Sequence, residues 1–178
     1  MEGRFDLAAV VEQFESALLR YVGHLIGPGS EEIEDVVQET FLRLHRQVLE
    51  DGGESVRSLS SWLFRVSHNL AMDAGRKRRQ RSQLQAKVTS DPVVNPEETG
   101  RLPAPGEEMG HDEACRLAMD EVQRLPEEQK TVVLLKIIQG FTLQEISDVT
   151  GMKIGTVNYR LTQGLRAMAE RLQQAGVV

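Results

Sequence analysis

Apolar residues recur at three- and four-residue steps along most of the chain, which is the spacing of helices that bury one face. In the first half this spacing defines three segments, Leu7–Leu25, Ile33–Val48 and Leu59–Leu70. Ser30 precedes the second segment and is a residue type that caps helices. The pattern predicts three helices, of which the third continues into Arg76–Arg81.

One large apolar residue of the third segment does not follow its stripe. The rotation of 100° per residue places Trp62, Val66 and Leu70 on one side of the helix and Phe64 roughly opposite them. Trp62 is therefore predicted to be a core residue. Phe64 is predicted to pack on another segment or to contact a partner.

The last third of the chain, Leu125–Leu172, has the pattern of two short helices, a tight turn and a longer helix. Thr142 and Glu145 have the spacing of a capping box at the start of the second helix. Gly151 supplies the positive φ that a sharp turn requires. This order of elements is that of a DNA-reading helix-turn-helix, although a plain three-helix bundle has the same pattern.

The polar side of the longer helix follows from the same rotation. Thr156, Tyr159 and Gln163 lie opposite its apolar stripe, and Asn158 and Arg160 flank them. These side chains are free to contact base edges or phosphates.

Between the two helical regions, from Ser90 to Gly110, the periodicity is lost, and four of the six prolines are mixed with glycine and glutamate. Loops longer than about 15 residues are uncommon inside a compact domain, so this stretch is predicted to separate two domains. The sequence predicts an all-α protein of two small helical domains joined by a flexible acidic linker. The first domain covers residues 1–81, the linker 82–112, and the helix-turn-helix domain 113–178.

The formal net charge of −6 is unusual for a protein that binds nucleic acid, but its basic residues are concentrated. Residues 76–87 contain six basic and no acidic side chains, whereas residues 88–113 contain one basic and seven acidic side chains. Such a patch indicates local contact with phosphates rather than attraction by the whole surface. A solvated charged helix is the alternative.

Several classes of site are not indicated by the sequence. There is no glycine-rich phosphate loop, and the four histidines lack the spacing of metal ligands. Cys115 is the only cysteine, which excludes an internal disulfide and a multi-cysteine metal site. No apolar run approaches about 18 residues, and no secretion leader is evident at Met1. We therefore expect no catalytic residue, no metal, no cofactor and no insertion into a membrane.

Three blocks of sequence stand out within the predicted helices. They are Glu34–Leu44 in the second helix, Trp62–Asp73 in the third, and Gly155-Thr156-Val157 with Arg160-Leu161 in the last. Together they resemble the bacterial RNA polymerase sigma factors of the extracytoplasmic-function (ECF) group of the sigma-70 family. The blocks occur in the family's order, and a linker similar to the family's joins the two halves. The sequence lacks the additional middle domain of housekeeping sigma factors. The resemblance implies a transcription initiation factor that binds core RNA polymerase and directs it to specific promoters by minus-35 and minus-10 recognition and promoter melting.

The resemblance also implies roles for particular residues. Those implied to bind core polymerase are Asp35, Gln38, Glu39, Phe41 and Arg43. Those implied to bind the minus-10 element are Arg65, His68, Asn69, Arg76, Lys77, Arg78, Arg79 and Arg81. Those implied to bind the minus-35 element are Lys153, Thr156, Asn158, Tyr159, Arg160 and Gln163. The last set has fewer cations than many relatives carry, which predicts weak autonomous binding of minus-35 DNA with a shallow salt dependence.

The implied partners are core RNA polymerase, through its clamp helices and flap, promoter DNA, and an anti-sigma factor. The implied location is the cytoplasm, where the protein is either free or held at the membrane by the anti-sigma factor. Two other functions compete with this interpretation. One is a sigma-like decoy that sequesters an anti-sigma factor, although a decoy has no need of a basic run. The other is a plain helix-turn-helix DNA-binding regulator, which leaves the first half of the chain unexplained.

Overall fold

A computed structural model describes residues 6–27, 29–53, 56, 58–88 and 111–175. Within these residues the chain is helical, with turns and no β-strand. The helices of the first half are α1 (Leu7–Ile26), α2 (Glu32–Asp51) and α3 (Leu59–Val88). Those of the second half are α4 (His111–Gln123), α5 (Glu127–Val133) with a π-helical turn (Leu134–Ile138), α6 (Leu143–Thr150) and α7 (Ile154–Gln174). The predicted all-α class is confirmed.

In the first domain α1, α2 and α3 pack against one another around Leu18, Val22, Leu44 and Leu63, all fully buried. The predicted cap of α2 was wrong. Its N-cap is Glu31, without a side-chain cap, and the Ser30 hydroxyl instead donates to the Glu32 carboxylate at 3.4 Å. The Ser30 hydroxyl was expected to accept a hydrogen bond from the helix backbone. It is instead bonded to the acidic side chain of Glu32 in the first turn.

In the second domain the helix-turn-helix has the predicted caps. The Thr142 hydroxyl accepts from the Glu145 N–H at 3.2 Å, and the Glu145 carboxylate accepts from the Thr142 N–H at 2.8 Å. The two bonds satisfy two backbone groups that a helix start leaves free. The bond from the Thr142 N–H, together with one that the Thr142 hydroxyl donates at 2.8 Å, lowers the pKa of the Glu145 carboxyl. Gly151 has φ 73°, which allows the sharp turn into α7.

The helices extend into the predicted linker at both of its ends. α3 continues to Val88 rather than stopping at Arg81, and α4 begins at His111. Residues 89–110, which make up the rest of the predicted linker, lie outside the described residues.

The two domains are in contact rather than apart. α3 packs against α6, and α1 touches α5. Phe64, which sequence reasoning placed opposite the core side of α3, packs between the two domains. Its ring centroid lies 5.2 Å from that of Tyr21 and 5.1 Å from that of Phe141. The prediction that Phe64 packs on another segment is confirmed.

Gly164, in the middle of α7, permits close packing against α5. A Cβ added there would lie 2.9 Å from Cγ2 of Val133, a buried side chain with little rotational freedom. Gly155 lies in the same helix but faces open space. Gly164→Leu is therefore expected to lower the free energy of unfolding by about 3 kcal/mol relative to Gly155→Leu. Chemical denaturation of both variants measures this difference, and equal stability would contradict the close packing.

Candidate polymerase and nucleic-acid interface

The outer side of α2 carries a polar strip, Asp35, Gln38, Glu39 and Arg43, which is at least partly exposed. The Glu39 carboxylate accepts from Nε of Arg43 at 2.9 Å, and Nη1 of Arg46 lies 3.8 Å away. Their guanidinium groups hold the pKa of the Glu39 carboxyl below its ordinary value. The Glu39 carboxylate therefore stays ionised at neutral pH, and negative charge of this kind is complementary to a basic partner.

Phe41 differs from the other residues implied to bind polymerase. It is only 8% exposed and belongs to the core formed by α1, α2 and α3. It packs in the core beneath the polar strip and offers little surface of its own to a partner.

A shallow groove separates α2 from α3 and has a volume of about 340 Å³. Its α2 wall includes Asp35 and Glu39, and its α3 wall includes Lys77 and Arg81. The polar strip of α2 and the basic run Arg76–Arg81 of α3 therefore lie next to each other, although they are about 40 positions apart in the sequence.

The residues implied to contact the minus-10 element divide into an exposed group and a buried one. Arg65 and Asn69 are exposed, and the Asn69 amide carries both a donor and an acceptor, as is needed to read a base edge. His68 is 9% exposed, and its Nδ1 is hydrogen-bonded to the Tyr21 hydroxyl at 3.1 Å. In this conformation His68 is covered and unavailable to DNA.

Burial lowers the pKa of His68 to about 4, an effect that the neighbouring Glu127 carboxylate partly opposes. An unfolded histidine titrates near its ordinary pKa of 6.5, so below that pH the unfolded chain binds a proton that the folded chain cannot. The contribution of neutral, buried His68 to the free energy of unfolding is thus fully present above pH about 6.5 and decreases as the pH falls toward 4.

We expect the free energy of unfolding to fall by about 2 kcal/mol between pH 7.5 and pH 5, and to fall by less in His68→Gln. Urea titrations check this, with exposed His45→Gln as the matched control; the same pH dependence in all three chains would contradict it.

The basic run is exposed from Arg76 to Arg81, as the sequence predicts. Arg76 pairs with Asp73, and Nη1 of Arg78 donates to the Ile26 carbonyl at 3.3 Å. Nη1 of Arg79 lies 3.2 Å from the Glu127 carboxylate at the start of α5. These contacts are solvent-exposed and therefore weak, so the cations are available to phosphates.

Most of the residues implied to read the minus-35 element are exposed, on α7 or at its N-cap, Lys153. Lys153, Thr156, Asn158 and Tyr159 are exposed. Gln163 is half-buried, and the Arg160 guanidinium is paired with the Glu128 carboxylate of α5.

Sequence reasoning missed the contacts that α5 makes with the basic run of α3 and with the polar side of α7. Glu127 and Glu128 look like ordinary acidic residues of a first helical turn, which favour the helix dipole. In the fold they reach Arg79 on α3 and Arg160 on α7. No local signal in the sequence predicts these pairs, because the partners are 48 and 32 positions away.

Within the described part of the chain, no group of three or more histidine, cysteine, aspartate or glutamate side chains is arranged to hold a metal ion. None of the helices there combines the length and the apolar character needed to cross a membrane.

Comparison with known proteins accounts for both halves of this arrangement. Residues 10–81 match the family model "Sigma-70 region 2", and residues 115–168 match "Sigma-70, region 4". The ECF RNA polymerase sigma factor SigL of Mycobacterium tuberculosis is 30% identical over 173 residues, which cover 96% of this chain and 91% of SigL. This chain belongs to the ECF group of sigma-70 RNA polymerase sigma factors.

Other members of the group agree with the match. The ECF sigma factor SigW of Bacillus subtilis is 26% identical over 168 residues, 93% of this sigma factor and 88% of SigW. Among solved structures, the sigma factor RpoE of Bartonella quintana, in complex with the anti-sigma factor NepR, gives a TM-score of 0.68 at 21% identity. The match covers 93% of this chain and 96% of RpoE. CnrH, in complex with the cytosolic domain of CnrY, gives 0.63 at 20% identity, over 94% of this chain and 88% of CnrH. Both structures share the fold.

The function implied by the sequence is thereby confirmed. Sigma factors are non-catalytic initiation factors, and this one directs core RNA polymerase to promoters.

Proposed function

We propose that this sigma factor binds polymerase through the polar strip of α2, holds the minus-10 region with α3, and reads the minus-35 element with α7. The observation that carries this proposal is the groove between α2 and α3, in which the polar strip and the basic run are adjacent. A polymerase helix bound on the strip would bring the separating DNA strands to Lys77 and Arg81. The basic run would then hold phosphates, while Asn69 and Arg65 reach the bases.

Promoter melting in this proposal needs no bond to be made or broken. Preferential binding of the separated strand offsets the few kcal/mol that unpairing and unstacking of a base cost. We therefore propose that the protein is not an enzyme and has no cofactor. Its ligand is polymerase-bound DNA, and we propose that it acts in the cytoplasm.

We further propose an anti-sigma factor as an inhibitory partner, since RpoE of Bartonella quintana was solved with one. The exposed strip and the exposed basic run are the surfaces it would have to mask. An anti-sigma factor in the membrane would hold the complex there.

Open-complex formation tests the proposal. Genomic fragments retained by core polymerase plus this protein after a heparin challenge are treated with permanganate, which oxidises unpaired thymines. We expect reactive thymines in one short region of each fragment, only when both proteins are present. Retention of fragments without reactive thymines would show DNA binding without melting and would overturn the minus-10 assignment.

Binding of minus-35 DNA by the full chain is expected to be weak and to depend little on salt. Among the residues proposed to read the minus-35 element, Lys153 and Arg160 are the positively charged ones, and Arg160 is already paired with Glu128. Two phosphate contacts predict a slope of about −2 in a plot of log K against log salt concentration. Fluorescence anisotropy with a minus-35 duplex measures it. A slope as steep as about −6 would mean that other cations bind the duplex.

A further inference from the structure

Two side-chain amides on the outward side of α7 have no hydrogen-bond partner among the described residues. They belong to Asn158, which is exposed, and to Gln163, which is half-buried. At 100° per residue, both lie within an arc of about 160° that also contains Thr156, Tyr159 and Thr162. We call these five residues the reading face of α7.

The positive charges near the reading face are held outside it. The Arg160 guanidinium pairs with the Glu128 carboxylate of α5. Lys153 is the N-cap of α7, and the free backbone N–H groups of a helix start favour phosphate, so its charge suits positioning rather than sequence reading. Arg166 lies beyond the C-terminal end of the reading face, and its Nε pairs with the Glu170 carboxylate at 2.8 Å. The reading face itself therefore presents neutral side chains.

The chemistry of the DNA major groove gives these neutral side chains a preference. Guanine presents two acceptors, N7 and O6, which arginine and lysine recognise. Adenine presents the acceptor N7 beside the N6 amino donor, which match the donor and the acceptor of an asparagine or glutamine amide. Thymine presents a methyl group, which aromatic rings and threonine contact. The reading face thus has groups for adenine and thymine and lacks a cation for guanine.

Tyr159 and Thr162 are the residues suited to the thymine methyl group. The Tyr159 side chain is 60% exposed, although it is a large and partly apolar group. The Thr162 hydroxyl donates to the Asn158 carbonyl at 2.9 Å, so its proton is not available to a base. Its methyl group and the Tyr159 ring remain as apolar surface between the two amides.

We propose that α7 selects promoters whose minus-35 element presents A·T base pairs to the reading face. The proposal rests on the assignment of α7 to the minus-35 element and names the class of sequence that the helix reads. Asn158 and Gln163 each bind the major-groove edge of an adenine. Tyr159 and Thr162 pack against the methyl groups of thymines. At a guanine, the amide oxygen would face the O6 acceptor, and one of the two hydrogen bonds would be lost.

Selection from a DNA pool tests the preference with the full chain. Each DNA carries a preformed bubble at the minus-10 position, so that retention does not require melting, and randomised base pairs in place of the minus-35 element. Complexes with core polymerase and the sigma factor that survive heparin are sequenced. We expect at least two randomised positions to be enriched about tenfold in A·T over G·C pairs. Absence of enrichment, or enrichment of G·C pairs, would overturn the proposal.

Base analogues then identify the groups that are read. An inosine–cytosine pair has the major-groove groups of G·C and the minor-groove groups of A·T, so in place of a selected A·T pair it is expected to weaken binding about tenfold, as G·C does. Uracil lacks only the thymine methyl group and is expected to weaken binding about threefold. Full binding of the inosine duplex would mean that the minor groove or the shape of the DNA is read, and would overturn the proposal.

Substitutions of Asn158 assign one base pair to one side chain. Asn158→Ala is expected to lose the A·T enrichment at one position, and Asn158→Arg, which supplies a guanidinium, to shift that position to G·C by about tenfold. Asn158 is exposed, so both changes leave the core untouched. Gln173→Ala is the matched control, because it removes an exposed amide at the far end of the same helix and is expected to keep every preference. An unchanged preference in both Asn158 variants would contradict the proposal.

Failure of this inference and failure of the proposed function give different results. Retention of the bubble DNA that depends on the sigma factor but selects no A·T pairs would refute the preference and leave polymerase and minus-10 binding intact. Absence of any sigma-dependent retention would refute the proposed function itself, and with it the reading of DNA by α7.

Discussion

Replacement of Arg76, Lys77, Arg78 and Arg79 together by alanine is expected to abolish promoter-specific transcription and leave binding to core polymerase intact. These side chains are exposed, and their contacts within the protein are weak, so the fold does not depend on them. Loss of four cations removes up to four phosphate contacts, so the negative slope of log K against log salt concentration becomes less steep by about 3. Heparin-resistant complexes counted at several salt concentrations measure the slope, and run-off transcripts measure the activity.

The matched control keeps the charge. Arg76→Lys, Arg78→Lys and Arg79→Lys in one chain retain all four cations at positions 76–79 and are expected to retain most of the activity, because phosphate contact depends mainly on charge. Equal loss in the lysine and alanine variants would mean that the contact requires guanidinium geometry and that charge alone is not sufficient. Full activity of the alanine variant would remove the basic run from the account.

Reversal of the negative charges on α2 is expected to have the second large effect. Asp35→Arg with Glu39→Arg turns the polar strip from mainly acidic to basic, which repels a basic partner helix and costs several kcal/mol at a complementary interface. We expect the affinity for core polymerase to fall by about 100-fold, equivalent to about 3 kcal/mol. Titration of labelled sigma factor with core polymerase measures this change.

Glu12→Arg with Glu15→Arg is the matched control for charge reversal. Both glutamates are exposed on α1, outside the polar strip, and the change in net charge is the same. This control is expected to bind core polymerase with unchanged affinity. If both double variants lose affinity to the same degree, the effect is one of overall charge, and α2 is not the polymerase surface.

The helices that the sequence predicts best are those whose signals are local. α1 and α2 follow from one apolar stripe each, and the start of α6 follows from the capping box of Thr142 and Glu145. Gly151 takes the left-handed conformation that its position in the turn implies. Each of these signals lies within a few residues, and each is satisfied within its own segment.

α4 and the π-helical turn were missed for different reasons. α4 buries Leu117 and Val122, but these residues are five positions apart, the helix is short, and it follows the proline-rich stretch, so no apolar stripe predicts it. The π-helical turn interrupts an apolar block that also fits a regular α-helix. Periodicity alone does not distinguish the two forms, because every position but Lys136 in the block is apolar; in the structure Leu134 and Leu135 are buried, whereas Ile137 and Ile138 are exposed.

The packing of the two domains was the largest feature that sequence reasoning left open. A second stripe on α3, Phe64 with Ser67 and Ala71, was the available signal, but only its phenylalanine is large enough to be noticed as apolar. The position of Phe141 opposite Phe64 depends on how α3 meets α6, which no local pattern encodes. The same packing buries His68, which the resemblance alone placed at the minus-10 element.

The most direct test of the central claim is transcription of a fragmented genomic library by core polymerase with and without this sigma factor. The account predicts discrete start sites that appear only with the sigma factor, share upstream sequence motifs, and disappear when Arg76, Lys77, Arg78 and Arg79 are all alanine. An absence of discrete start sites, although the protein binds core polymerase or an anti-sigma factor, would contradict the account and favour a sigma-like decoy.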